Sequence, residues 1–179
     1  MDEKTWWYLA RAGGITAWAL VAAATLWGLV LSTRIAKGKA TPAWLLDLHR
    51  HLGALGVVFS AVHVLGLVAD SWVHFGWAEV LVPFASEWRP IPTAAGVTAL
   101  YLLVAVEVTS LLQRRLPRKV WRKVHGLSLP LFLLSTFHTL AAGTDASNGA
   151  LALATALVAI AFLFLMTYRA VLAFAPVTR

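Results

Sequence analysis

From Leu52 to Ala69 the chain carries no formal charge, and Ser60 and His63 are its only polar side chains. A run this long and apolar must satisfy its backbone groups internally, so it is a helix that crosses a bilayer. Extended back to Trp44 it reads WLLDLHRHLGALGVVFSAVHVLGLVA and gains His49 and His51. His49 and His63 lie fourteen positions apart. At about 100° per residue that falls roughly 40° short of four turns, so both rings leave one face, about 21 Å apart along the axis. Gly53, Gly56 and Ser60 lie between them on that face and leave a trough. A second apolar stretch, Val120 to Gly143, carries His125 and His138. Side by side, two such helices present two pairs of imidazoles, one above the other. That arrangement suits two stacked b-type hemes, each held by one histidine from each helix.

The rest of the chain agrees with a membrane setting. It is 60% hydrophobic and 13% charged, and further apolar runs occur at about 5–33, 93–113 and 150–174, making five spans. The expected fold is an all-α integral membrane protein, a single domain over residues 1–179. The first run is too long for a signal peptide, no cleavage site follows it, and it is expected to be retained. Residues 70–92 differ: tryptophans, Asp70, Glu79, Glu87 and Arg89, with Pro83 and Pro90, predict an interfacial segment at headgroup level. No cysteine is present, which excludes disulfides, iron–sulfur clusters, thiolate-held heme and c-type heme.

The net charge of +7 does not call for nucleic acid, because the basic residues cluster in two short connections. Arg34, Lys37 and Lys39 lie in the first, and six Lys or Arg residues lie in RRLPRKVWRK, residues 114–123. By the positive-inside rule both connections are cytoplasmic, with the N-terminus outside and the C-terminus inside. Both histidine helices then run outward in parallel, with His49 and His125 near the inner leaflet and His63 and His138 nearer the outer.

The segments LHRHLGALGVVFSAVH and TSLLQRRLPRKVWRKVHGLSLPLFLLSTFH together resemble the ferric reductase-like transmembrane domain. That group includes NADPH oxidases, ferric reductases and the heme-binding membrane subunit of the bacterial periplasmic methionine-sulfoxide reductase system. Its pattern is a histidine pair fourteen apart on one helix and thirteen apart on the next but one, which His49/His63 and His125/His138 match. The arginine run, Trp121 and then His125 resemble the bacterial members most closely. The resemblance covers about residues 14–174. It implies a multi-pass protein of the plasma (inner) membrane with two b-type hemes, whose iron ligands are these four histidines. Many members have a further span at the start, and the oxidases and reductases carry a flavin and nicotinamide domain after the last helix. This sequence shows neither, nor any Gly-rich strand–turn–helix fingerprint. The expectation is therefore an oxidoreductase subunit that takes electrons from a separate flavoprotein or quinol and passes them to an extracytoplasmic acceptor.

Several residues complete that reading. His51 is the competitor of His49 as ligand; twelve positions from His63, it faces elsewhere, toward a propionate, a lipid headgroup or a quinone. Gly53 and Gly56 are expected to lie under the inner porphyrin or its neighbour. Arg50, Lys123 and Arg169 at the inner level, and Arg11 at the outer, are the candidate cations for heme propionates, against plain snorkelling. His74 is a surface histidine or an acceptor contact. Glu107 is expected to pair with Arg50 or Arg169, or else to conduct protons. The basic loop at 114–123 serves topology or docks an acidic flavoprotein. His125 to His138 is thirteen steps, about 140° short of four turns; Pro130 between them frees the Gly126 carbonyl and offers a kink or a tightened turn as partial correction, with rotated heme planes for the rest. The competing readings are a histidine-lined metal or proton transporter and a structural subunit of a larger membrane complex.

Overall fold

The computed structural model describes residues 4–33, 43–71, 75–145 and 147–174. His74 and the first connection's Arg34, Lys37 and Lys39 lie outside them. The chain forms helices α1 (Lys4–Thr33), α2 (Ala43–Ala69), α3 (Trp77–Leu81), α4 (Pro90–Leu111), α5 (Arg118–His125), α6 (Ser128–Ala142) and α7 (Gly149–Phe174). Among the described residues five spans are long and apolar enough to cross a membrane: α1, α2, α4, the α5–α6 pair and α7. There is no strand among the described residues.

The fourth span is two helices because of Pro130. Proline has no N–H, so the Gly126 carbonyl lacks its ordinary helical donor. The turn tightens instead: Leu127 N–H donates to Val124 O at 2.9 Å and Leu129 N–H to Gly126 O at 3.3 Å. These three-residue turns advance about 120° per residue rather than 100°, which takes up part of the thirteen-step offset.

Helix α1 is the centre of the bundle. Ala22 and Leu29 pack with Phe132 of α6 and with Phe162 and Leu165 of α7, while Val21 packs with Ala99 and Leu103 of α4 and Leu131 of α6. Against α2 the approach is backbone to backbone. A methyl group on Gly66 would lie 2.8 Å from Ala10 N, and one on Gly13 would lie 3.0 Å from His63 N. Small residues at such a crossing replace the hydrophobic drive that is lacking in lipid. Indole hydrogen bonds add to it: Trp18 Nε1 donates to Thr136 Oγ1 at 3.1 Å and Trp27 Nε1 to Leu45 O at 2.9 Å. On α7 the side chains of Leu157, Ile160, Leu163, Phe164 and Val171 remain exposed, as a lipid-facing surface requires.

Spans that follow one another in the chain run antiparallel. The end of α1 meets the start of α2 and the end of α4 meets the start of α5, so α2 and α5–α6 run in parallel. At the opposite end, the segment before α4 does more than lie along the interface. Phe75 is buried, stacks edge-on with Trp88 at 6.3 Å, and joins the wall of an internal cavity. Arg89, in the left-handed region at φ 43°, donates to Ala141 O at 2.6 Å and so ties this segment to the end of α6.

Candidate functional site

The parallel helices bring four histidines into two pairs. The ring centres of His49 and His125 are 5.9 Å apart, and those of His63 and His138 are 6.2 Å apart, with 73° between ring planes in each pair. Two imidazoles that face one metal ion from opposite sides, with bonds of about 2 Å, hold their ring centres roughly 6 Å apart. Along α2 the two levels are separated by about 21 Å of helix rise.

A second set of contacts holds each ring by its other nitrogen. Nδ1–H of His63 donates to Ala10 O at 2.7 Å, that of His138 to Pro92 O at 2.8 Å, and that of His49 to Ala24 O at 3.1 Å. A carbonyl oxygen only accepts, so these bonds put the proton on Nδ1 and leave the Nε2 lone pair for a metal. His125 differs: its Nδ1 faces Ser110 Oγ at 3.4 Å, and Trp121 stacks on its ring at 5.1 Å and 24°.

The carbonyls are reachable because of glycines that sequence reading missed. A methyl group would lie 2.8 Å from His63 Nδ1 if placed on Gly14, and 2.5 Å from His138 Nδ1 if placed on Gly96. One on Gly28 would lie 3.1 Å from His49 Cε1. Each glycine sits four residues after the accepting carbonyl: Ala10 before Gly14, Ala24 before Gly28, Pro92 before Gly96. A helix carbonyl keeps a second lone pair after taking its own backbone donor. Removing the side chain one turn later uncovers it. Gly14 and Gly28 are fourteen apart, so α1 repeats the period of His63 and His49, while Gly96 and Ser110 on α4 are also fourteen apart against the thirteen of His138 and His125. That repeat is the signal by which they were detectable.

The other expected site residues are placed as follows. His51 is exposed, with Nδ1 bonded to its own helix at Asp47 O, and joins neither pair. Gly56 lies against Val21 of α1 at ordinary contact distance, and Gly53 makes room for the Glu107 carboxylate, so neither glycine lies beside an imidazole. Glu107 pairs with neither expected arginine, since Arg50 bonds Asp47 at 3.3 Å and Arg169 reaches Ser32 Oγ at 3.5 Å. Arg11 is held by the Asp145 carboxylate and lies over Trp7, 4.9 Å from its centre. A cavity of about 250 Å³ surrounds the second pair, with His63, His138, Gly14, Gly96, Arg11 and Asp145 in its wall.

The residues present fit a porphyrin iron at both levels: paired imidazoles at trans-ligand spacing, three proton-fixed tautomers, and rings cleared by glycine. The sequence model of a family described as ferric reductase like transmembrane component matches residues 13–136, a stretch that holds His49, His63 and His125. No curated protein and no solved structure matches the chain.

Proposed function

The chain belongs to the ferric reductase-like transmembrane family, and on that premise we propose that it is a di-heme b-type cytochrome that carries electrons across the membrane. The observation that supports it best is the pair of imidazole pairs, at 5.9 and 6.2 Å, stacked along two parallel spans. In this reading His49 and His125 hold the inner heme and His63 and His138 the outer. Bis-histidine heme supplies reversible one-electron exchange without an open iron site. The protein's own part is to fix ligand orientation. Carbonyls of Ala10, Ala24 and Pro92 hold the rings by Nδ1, and the indole of Trp121 backs His125. Arg50, Lys123 and Arg169 at one end and Arg11 at the other are the candidate cations for the propionates, with Arg11 shared with Asp145.

The donor is a separate flavoprotein or quinol on the cytoplasmic face and the acceptor lies outside, in the plasma (inner) membrane orientation set by the basic loops. A metal relay is less well supported: among the described residues no three His, Cys, Asp or Glu side chains gather as a bare ion needs. The test is a reduced-minus-oxidised spectrum and a pyridine hemochrome assay on detergent-purified protein. Two b-type hemes per chain are expected, and a folded, colourless protein would overturn the reading.

A further inference from the structure

At the end of the bundle where α4 finishes and α5 begins lies a second cavity, of about 550 Å³. Arg50 of α2, Gln113 and Arg114 after α4, and Arg118, Trp121 and Arg122 of α5 line it. Four arginines from three parts of the chain thus line one depression, and among the described residues the one ion pair they make is Arg50 with Asp47. Like charges gathered this way repel unless an anion sits between them. A second, independent feature is the Trp121 indole N–H, which is buried and has no hydrogen-bond partner among the described residues. Buried donors are almost always satisfied, so an orphan in the wall of a cationic pocket points to a missing acceptor.

We infer that this pocket binds a phosphate-ester anion, with a diphosphate-bearing lipid headgroup as its source. Guanidinium forks match phosphate oxygens bidentately, and the indole N–H supplies the further donor. Three unshared arginines with a fourth partly neutralised by Asp47 suit about two negative charges rather than one. The surroundings favour a lipid over a soluble phosphate. Leu111 and Leu112, 82% and 41% exposed, directly precede Gln113, so apolar surface for acyl chains adjoins the arginines. Basic pockets at the end of membrane spans are where anionic headgroups collect. Because Trp121 also stacks on His125, a bound headgroup braces the one histidine whose Nδ1 lacks a carbonyl partner.

The test uses the full chain, purified and delipidated in mild detergent, with and without heme, and mixed with equal amounts of cardiolipin and phosphatidylcholine. Native mass spectrometry reads lipid retention. Cardiolipin is expected to be retained in preference, whether or not heme is present, and Arg118→Gln/Arg122→Gln should lower its retention about tenfold or more. Arg118→Lys/Arg122→Lys, which keeps the charge that sets topology but loses the forks, should lower it several-fold. Trp121→Phe, which keeps the ring stack and removes the N–H, should also lower it. Millimolar pyrophosphate that binds the lipid-free protein with equal strength would support the phosphate site and overturn the lipid source. Equal retention of the two lipids, unchanged retention in both arginine pairs, or loss of binding once heme is loaded would each overturn the proposal.

Discussion

His63 Nδ1 lies 2.7 Å from the carbonyl oxygen of Ala10, one helical turn before the glycine that makes room for the ring. The same relation joins His138 to Pro92 and His49 to Ala24. The orientation of these three imidazoles is set by helices that carry no histidine.

The first prediction follows from the pairing. His49→Ala and His125→Ala should each remove one heme, and His63→Ala and His138→Ala the other, as read by pyridine hemochrome and by potentiometric titration of the remaining heme. His51→Ala should keep both, since its ring is exposed and bonded to its own helix. One heme lost in His51→Ala with two kept in His49→Ala would reverse the assignment.

The second concerns the glycines. An alanine gains about 1 kcal/mol of helix propensity over glycine, so a loss would have to come from the collision with the ring, on the order of 1–3 kcal/mol. Gly96→Ala, at 2.5 Å, should lower heme content most, Gly14→Ala next at 2.8 Å, and Gly28→Ala least at 3.1 Å. Gly56→Ala, which meets only Val21 at 3.5 Å, should keep full occupancy and unfold no earlier than the parent. Equal heme content in all four variants would show that the rings do not depend on this clearance.

How much of this was legible in the sequence depends on whether the signal lay within one helix. The five spans and the fourteen-residue histidine spacing are local, so periodicity exposed them. The tightened turn at Gly126 was announced by Pro130, which frees the Gly126 carbonyl, and of the two expected corrections, kink or tightened turn, the hydrogen bonds of Leu127 and Leu129 show the second. Gly53 and Gly56 meet groups on other helices, Glu107 and Val21, and nothing within α2 announces either contact. Gly14, Gly28 and Gly96 act on rings that belong to other helices, and only comparing their spacing with that of the histidines reveals them. The partner of Arg11 is Asp145, 134 residues away, and nothing local marks such a pair.

A third prediction uses that pair. Arg11 and Asp145 tie the first span to the connection before α7, and the carboxylate is largely buried, with a side-chain exposure of 10%. Removing one partner leaves the other charge unpaired, so Asp145→Ala should lower the thermal unfolding midpoint by a few degrees. Asp145→Asn, which can still accept one bond, should lose less. If Arg11 also meets an outer propionate, Arg11→Gln should lower heme content beyond what Asp145→Ala does. Identical melting of Asp145→Ala and the parent would show the pair to be energetically idle.

The last prediction tests the break in the fourth span. Pro130→Ala returns an N–H to the Gly126 carbonyl, so the tight turn through Leu127 and Leu129 loses its cause and a regular helix becomes the better alternative. A regular helix carries His138 about 140° short of four turns from His125, away from His63. Occupancy at the His63/His138 level should therefore fall while the His49/His125 level keeps its heme, read as one heme lost by hemochrome with membrane insertion unchanged. Inserting one alanine after Leu127 in the Pro130→Ala background makes the spacing fourteen, the value α2 uses, and should restore the second heme. Full occupancy in Pro130→Ala alone would mean that packing against α1 and α4, rather than the proline, sets the rotation of His138.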